Sequence, residues 1–273
     1  MTNSIPVGTL DQMVLFDLEQ PRTADMPIHP THRPGYSYTL YRRHEDKYRP
    51  EELGPRTSAS GMIICMEHSG THIDALAHQA DSLTLFGNVP VDSQVQTPAG
   101  FTRHGAEEIP PIIAPGVLLD PVAALGLEAL EPGYAVTAAD LEACCDRQKV
   151  TVEPGDVLLV RTGNGRYWND SERYLAGPGM AGSAARWAAE RQVLAVGADN
   201  MAWDVVGLWD EDLGCYLPAH LLLLARRGIY IIENMQLEEL AAAGRDRFTF
   251  ICIPPKFAGA TGAPVRPLAL VSS

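Results

Sequence analysis

Short apolar runs recur along the chain, and polar or amphipathic stretches separate them. Each run is bounded by Gly, Pro or Asp and is apolar at consecutive positions, which is typical of strands buried on both faces. The predicted buried strands are GMIICMEH (61–68), GVLLD (116–120), GDVLLVRTG (155–163), QVLAVGAD (192–199), GIYIIEN (228–234) and FTFICIPP (248–255).

Three segments between these runs have helical periodicity, namely TAADLEACCDRQ (137–148), SAARWAAERQ (183–192) and PAHLLLLARR (218–227). Thr137 and Ser183 are predicted N-caps, and Gly228 is predicted to end the third helix. Strands that alternate with helices predict an α/β domain. The pattern does not determine the order of the strands in the sheet.

No Gly/Ser linker and no internal repeat divides the chain, so we predict a single domain over residues 1–273. In this prediction residues 1–60 form an irregular N-terminal arm and residues 61–273 form the α/β body. From about residue 16 the arm is rich in Pro, Arg, Tyr and Glu and lacks a clean period. Long irregular segments are often functional, and we expect this one to wrap over the body or over a partner subunit.

Charge and cysteine content narrow the possible partners and setting. The formal net charge is −13 and the Lys and Arg residues are scattered, which argues against nucleic acid and anionic membrane surfaces as partners. The opening MTNSIPVGTLDQMV lacks the basic and apolar regions of a signal peptide, and the longest apolar runs are too short to span a bilayer. Five cysteines without a CxxC pair indicate neither a disulfide framework nor a thiolate zinc site. We therefore expect a reduced, cytoplasmic setting.

The segment EHSGTHIDALAHQ (67–79) contains three of the eight histidines of the chain. On a helix, at about 100° per residue, Asp74 would point roughly 240° away from His68. In an extended segment His68, His72 and Asp74 all fall on one face, because their offsets are even. The apolar residues upstream and Gly70 favour the extended form. The run is therefore either a three-ligand metal set with room for water or a group of hydrogen-bonded core histidines.

Further candidate ligands lie elsewhere in the chain. His78 follows a predicted turn and is either another ligand or a base beside a metal. Pro218 fits the first turn of a helix and so places His220 at its N-terminal end. If the strand after Gly228 returns antiparallel to that helix, Glu233 lies beside His220; the alternative is an exposed histidine and a strand-end glutamate. An N/O ligand set without thiolate suits one or two divalent metals at a hydrolytic site.

HSGTHIDALAH resembles the H-x-G-T-H-x-D-x-P-x-H signature of the cyclase-like metal-dependent hydrolases, which include kynurenine formamidase and isatin hydrolase. Leu76 replaces the proline of that signature, and the matching positions are His68, Gly70, Thr71, His72, Asp74 and His78. GDVLLVRTGNGRYW, AHLLLLARRGIYIIENMQL and PPKFAGATGAPVRPLAL resemble further segments of the family. The resemblance runs from about residue 60 to the C-terminus.

The resemblance implies a swivelling β/β/α-type α/β fold with a mixed sheet core and surrounding helices, assembled as a homodimer or homotetramer. It implies one or two Zn²⁺ or Mn²⁺ ions, with the equivalents of His68, His72 and Asp74 as ligands and those of His220 and Glu233 as further ligands. The equivalent of His78 is the catalytic base. The implied activity is hydrolysis of an amide, lactam or ester bond of a small aromatic substrate by metal-activated water. N-formylkynurenine is the specific alternative substrate.

Four residues are candidates for contacts with the substrate. Trp203 and Asp204 follow the end of a predicted strand, where ligand sites of α/β domains commonly lie. Trp203 either stacks on an aromatic substrate or packs in the core. Arg161 and Asn164, in VRTGNG, either bind a substrate carboxylate or form a subunit contact.

Two functions of other classes are less favoured. GPGMAG (177–182) matches the GxGxxG pattern of dinucleotide-binding oxidoreductases, but RYWNDSERYLA before it is not a strand. A structural or regulatory metal binder is disfavoured because structural zinc sites are typically closed by cysteines. No GxSxG motif of a serine hydrolase occurs in the sequence.

Overall fold

A mixed nine-stranded sheet organises the chain in the computed structural model, which describes residues 12–272. The strands are β1 Met13–Asp17, β2 Tyr36–Arg42, β3 Ser60–Cys65, β4 His72–Asp74, β5 Thr84–Leu85, β6 Val89–Pro90, β7 Gln96–Thr97, β8 Gly100–Phe101, β9 Ile112–Leu119, β10 Ala135–Val136, β11 Val157–Val160, β12 Gly179–Met180, β13 Ala195–Ala198, β14 Trp209–Asp210, β15 Cys215–Tyr216, β16 Tyr230–Glu233, β17 Arg247–Cys252, β18 Gly262–Pro264 and β19 Leu268–Ser272.

The helices lie between these strands and are mostly short. They are α1 Pro50–Leu53, α2 Pro121–Leu125, α3 Ala138–Gln148, α4 Ser171–Leu175, α5 Gly182–Glu190, a π-helix His220–Arg227 and α6 Glu238–Ala242. Single 3₁₀ turns occupy Pro30–His32, Phe86–Asn88, Ala106–Glu108 and Asn164–Tyr167. No helix within residues 12–272 has both the length and the apolar character that a membrane crossing requires.

The strand order of the large sheet is β1-β19-β17-β9-β11-β13-β16-β4-β18. Strands β9, β11, β13 and β16 are mutually parallel, and the others pair antiparallel. The predicted α/β domain with a mixed sheet is thus confirmed. The pairing places β4, which carries the histidine run, between β16 and β18 near one edge of the sheet.

Both faces of the parallel strands are covered, which explains their continuous apolar sequences. On one face Leu141 of α3, Trp187 of α5 and Leu223 of the π-helix pack against the sheet. On the other face lie Leu240 of α6 and Phe250 of β17. Complete burial of one large apolar side chain stabilises a fold by roughly 1.5–3 kcal/mol, so these two layers hold the strand ends in fixed positions.

The predicted helix ends are confirmed at two of three positions. Thr137 caps α3 in a capping box, since its hydroxyl accepts from the Asp140 amide and the Asp140 carboxylate accepts from the Thr137 amide. Gly228 ends the π-helix with φ +67°. The predicted N-cap at Ser183 is wrong, because α5 begins one residue earlier with Ala181 as its N-cap. The Ser183 hydroxyl instead accepts from the amide of Ala138, 3.3 Å away.

The burial predicted for the strand 61–68 is also wrong, although β3, Ser60–Cys65, forms a strand within that range. β3 pairs with β2 in a separate two-stranded hairpin and does not enter the large sheet. Its side chains Met62, Ile63 and Ile64 are 50%, 63% and 53% exposed. The apolar run alone could not distinguish a strand covered by the core of its own chain from an apolar hairpin that extends into solvent.

The N-terminal segment also contributes to the large sheet. β1 forms its edge beside β19, and Gln20 and Arg22 contact the histidine run at Ser69 and Thr71. Residues 1–11, with most of the segment in which we expect no signal peptide, lie outside the described residues.

The exposed hairpin predicts self-association. An isolated two-stranded hairpin is marginally stable in water, and apolar side chains point to both of its faces. We expect light scattering after size exclusion to give a mass above the 29.6 kDa of one chain. The double variant Ile63→Thr/Ile64→Thr keeps strand propensity but removes apolar surface, so its dimer dissociation constant is expected to rise at least about tenfold.

Ile113→Thr serves as the control for this experiment, because Ile113 is an isoleucine of similar exposure, 58%, on the large sheet. A monomeric wild-type protein, or a double variant that associates as strongly as the wild type, would contradict the expectation.

Candidate metal centre

Strand β4 supplies two of the candidate ligands. His72 and Asp74 are two residues apart in an extended strand, so their side chains fall on the same face. Glu233 of β16 pairs directly with His72 across the sheet. Its Oε2 lies 3.3 Å from His72 Nε2, and Asp74 Oδ1 lies 3.5 Å from the same nitrogen. Strand pairing thus brings one imidazole and two carboxylates together in the protein interior.

His68 reaches the same place by a different route from the one predicted. The chain turns at Ser69 and Gly70, where Gly70 has φ +61°, and is not extended from His68 to Asp74. A Cβ atom on Gly70 would collide with the guanidinium of Arg22, so both the backbone angle and the packing favour glycine. The turn carries the His68 ring back over β4, with Nδ1 2.9 Å from Asp74 Oδ1.

His220 closes the cluster from the first turn of the π-helix. Its Nε2 lies 3.3 Å from Glu233 Oε1 and 3.6 Å from Asp74 Oδ2. The strand after Gly228 therefore returns Glu233 to His220, as the sequence predicted. His220, Glu233 and Asp74 are all buried.

Hydrogen bonds on the outer side of the rings fix the protons of all three histidines. His72 Nδ1 lies 2.8 Å from the carbonyl oxygen of Gly70, which can only accept. His220 Nδ1 lies 2.8 Å from a carboxylate oxygen of Asp204. In a neutral ring each Nδ1 therefore keeps the proton, and Nε2 presents a lone pair to the cluster.

His68 has the opposite tautomer with the same result. The Thr261 hydroxyl donates to Glu67 Oε1, so it accepts from His68 Nε2, 2.8 Å away. The Nδ1 of the neutral ring then directs a lone pair at Asp74 Oδ1. Nitrogen lone pairs face carboxylate oxygens at all three histidines, an arrangement that repels unless a cation or additional protons lie between them.

Asp74 is at the centre of this arrangement. It is fully buried, and neither of its carboxylate oxygens makes a hydrogen bond of acceptable geometry within the described chain. Burial of a carboxylate costs several kcal/mol unless positive charge lies beside it, and His68 Nδ1, 2.9 Å away, supplies that charge only when its ring is protonated. Metal coordination satisfies such a group, and neutral imidazoles with carboxylates are suitable ligands for zinc or manganese. The residues therefore fit a divalent metal.

The pKa values reflect the same excess of negative charge. Burial and the charge of Asp74 raise the pKa of Glu233 to about 7, although His220 opposes this shift. Burial alone would raise the pKa of Asp74, but the imidazoles, with His78 foremost, hold it below its usual range. Burial lowers the pKa of His72 to about 3. Burial would lower the pKa of His220, but Asp204 and Glu233 raise it well above its ordinary value. In the metal-free chain protons thus supply part of the positive charge that the carboxylates require.

His78 lies in the turn after β4, beside the cluster. Its ring centroid is 3.9 Å from that of His68 and 5.9 Å from that of His220. Two sets of residues could each bind a metal ion, because the donor atoms within each set lie within 4.8 Å of one another. One set is His68, Asp74 and His78, and the other is Asp74, His220 and Glu233. Asp74 belongs to both. His78 is thus placed either to bind a metal or to act beside one.

A cavity of about 490 Å³ opens above these rings. Its apolar walls include Ile28 from the N-terminal segment and Met201, Val206 and Leu217 from the other side. His32 also lines it, with its ring 5.1 Å from that of His68. His32 could not be singled out from the sequence, where its only signal is a second pair of histidines in HPTH, remote from the main run.

None of the four predicted substrate contacts lines this cavity, so that prediction is corrected. Trp203 is fully buried in the core. Asp204 accepts from the amide of Ala219 and from His220, and therefore orients a candidate ligand.

The other two candidates have structural partners. Arg161 forms ion pairs with Asp120 and Glu238 at 3.0 and 2.9 Å, and the Asn164 amide donates to the carbonyl oxygen of Tyr174. The Arg161 guanidinium and the Asn164 amide nitrogen are thus engaged within the chain, Asn164 Oδ1 is buried without a hydrogen-bond partner among the described residues, and neither residue lines the cavity.

The GPGMAG segment lacks the geometry of a phosphate-binding loop. Helix α4 precedes it, Gly179–Met180 forms β12 beside β10, and α5 follows. A Cβ on Gly179 would collide with the backbone of Asp204 and Val205. Gly179 is therefore required for close packing of two chain segments and not for binding a phosphate. The dinucleotide interpretation loses its support.

Three solved structures share the fold. A structure described as a novel cyclase is 29% identical, with a TM-score of 0.82 over 96% of this chain and 88% of that chain. Isatin hydrolase A from Ralstonia solanacearum is 20% identical, with a TM-score of 0.75 over 99% of each chain. A predicted metal-dependent hydrolase from Bacillus stearothermophilus is 20% identical, with a TM-score of 0.60 over 94% and 98% of the two chains.

No curated protein matches the chain. A family model described as "Putative cyclase" matches residues 16–205, which is more than half of the 273 residues. The matched span contains the histidine run, Asp74 and His78. The chain therefore belongs to the cyclase family.

Proposed function

We propose that the protein is a metal-dependent hydrolase that cleaves an amide, lactam or ester bond of a small, uncharged aromatic molecule. One observation carries this proposal. When the rings of His68, His72 and His220 are neutral, all three direct lone pairs towards the buried carboxylates of Asp74 and Glu233. Such a cluster requires positive charge, which protons supply in part and a metal ion would supply when bound, and it lies at the base of a cavity large enough for a small molecule.

Zn²⁺ or Mn²⁺ would be held by His68, His72, Asp74, His220 and Glu233, as one ion or as two. A bound ion would act as a Lewis acid, which polarises a carbonyl group and activates water. Asp204, Thr261 and the Gly70 carbonyl orient the histidines from outside, as partners of metal-binding histidines commonly do.

His78 is the proposed general base. Its ring lines the cavity and makes no hydrogen bond to another part of the described chain. Burial foremost lowers its pKa to about 3, so the ring is neutral near neutral pH. The neutral ring nitrogen has a lone pair that can accept a proton from the attacking water and return it to the leaving group, although a base of so low a pKa is a weak one. Because His78 lies close to His68, it could instead bind the metal. The second experiment below distinguishes these two roles.

The cavity favours an uncharged substrate. Among residues 12–272, no Lys, Arg or Asp side chain lines it, and its one carboxylate, that of Glu233, belongs to the proposed metal set. The carboxylate group of N-formylkynurenine would find no Lys or Arg side chain among the described residues that line this cavity, and burial of an unpaired charge is costly. A neutral lactam such as isatin carries no such cost, and the fold shared with isatin hydrolase is consistent with it.

The first test removes a proposed ligand. His72→Ala should lower zinc or manganese affinity at least about 100-fold, since changes to outer partners alone commonly cost 10–100-fold. Hydrolysis of isatin should fall with the metal content, and the wild type should hydrolyse isatin faster than N-formylkynurenine. Metal content and turnover would be measured on the same preparations.

His104→Ala is the matched control, because His104 is a partly buried histidine that bonds to the Phe86 carbonyl away from the cluster. A His72→Ala protein that kept activity after chelation would show that the metal proposal is wrong.

The second test separates the two roles of His78. His78→Ala should keep nearly all bound metal but lose about 100-fold or more in kcat, the range expected for a missing general base. Loss of the metal together with turnover would instead make His78 a ligand, and unchanged kcat would exclude both roles. The His104→Ala protein again provides the reference.

A further inference from the structure

We propose that Tyr174 and Asn234 are positioning residues for the metal centre. They act through the Gly70 carbonyl to fix the proton and the orientation of the His72 ring. This inference rests on the proposed function, since its consequence is a higher affinity for the metal.

Three hydrogen bonds form the connection. The Tyr174 hydroxyl donates to Asn234 Oδ1 over 2.8 Å, and Asn234 Nδ2 donates to the Gly70 carbonyl oxygen over 3.0 Å. The same carbonyl oxygen accepts from His72 Nδ1 over 2.8 Å. A carbonyl oxygen has two lone pairs, and here both have a donor. The direction of the Gly70 carbonyl is therefore held from the side opposite to His72.

The backbone of Asn234 ties the turn before β4 to the end of β16. Its carbonyl oxygen accepts from the Thr71 hydroxyl at 2.6 Å, and its amide donates to the carbonyl of Asn200. Asn234 has φ +57°, a region that asparagine tolerates better than most residues. It directly follows Glu233, so one residue links a proposed carboxylate ligand to the turn that orients a proposed histidine ligand.

Burial makes these hydrogen bonds consequential. Tyr174 is 1% exposed and Asn234 5% exposed, so water cannot replace a lost partner easily. Without the Asn234 donor, the Gly70 peptide can rotate, because glycine permits many backbone angles. His72 Nδ1 would then lose its fixed acceptor, and Nε2 would no longer be held unprotonated towards Asp74 and Glu233.

The test uses Tyr174→Phe in the full-length protein and zinc ions alone as the probe. Zinc affinity at fixed pH is expected to fall 10–100-fold, the usual effect of losing an outer partner of a ligand. In the metal-free protein, ¹⁵N chemical shifts of the His72 ring should report a mixture of tautomers instead of the Nδ1-protonated form. Tyr230→Phe is the matched control, since Tyr230 lies on β16 near Glu233 and its hydroxyl makes no hydrogen bond within the described residues.

A second variant keeps the test decisive if Tyr174→Phe folds poorly. Asn234→Asp retains an acceptor for the Tyr174 hydroxyl and tolerance of a positive φ, but it cannot donate to Gly70. It should reproduce the loss of zinc affinity. If the wild type binds zinc and both folded variants match it in affinity and in His72 tautomer, the positioning role is overturned. A wild type that binds no zinc would overturn the proposed function itself.

Discussion

Everything in the candidate site depends on the burial of the Asp74 carboxylate. Transfer of an unpaired carboxylate into the protein interior is strongly unfavourable, and Asp74 is fully buried without a hydrogen bond of acceptable geometry within the described residues. Pairing of β4 with β16 and β18 holds it there, and the same pairing adds the Glu233 carboxylate next to it. Two carboxylates in one dry site need compensating positive charge. The fold thus creates a need for a cation before any substrate is considered.

The histidines meet this need only because groups outside the cluster control their protons. Thr261, the Gly70 carbonyl and Asp204 each bond to the outer nitrogen of one ring. In the neutral rings, the inner nitrogens are then free for a metal. These outer partners come from three separate parts of the chain. Packing of the two apolar layers against the sheet holds those parts in place, so the layers also control the protonation of the histidines. Metal binding and folding are coupled in such an arrangement.

Sequence periodicity was sufficient to predict the parallel strands, because strands covered on both faces carry continuous apolar runs. It was also sufficient to place His72 with Asp74, since this pair follows from strand alternation. For Glu233 and His220 it left two alternatives open, because the direction of the returning strand could not be predicted from the local pattern. It failed for His68, whose position depends on the left-handed turn at Gly70. It also failed for β3, where an apolar run forms an exposed hairpin.

Contacts between residues far apart in sequence could not be predicted from local patterns. Thr261 lies 193 residues from His68, and Asn234 lies 164 residues from Gly70. Trp203 and Arg161 show the converse error, because their residue types suggested substrate contacts while their surroundings make one a core residue and the other part of an ion-pair network. The sequence predicts only those parts of the site whose geometry depends on residues close together in the chain.

Anomalous diffraction from crystals grown with Zn²⁺ or Mn²⁺ tests the central claim most directly. The proposed metal centre predicts one or two anomalous peaks among His72, Asp74 and Glu233, at ligand distances of about 2.0–2.3 Å. It also predicts His68 or His220 in the same coordination shell, bound through the inner nitrogen. Absence of a peak there at saturating metal, near neutral pH and with the cluster otherwise intact, would contradict it.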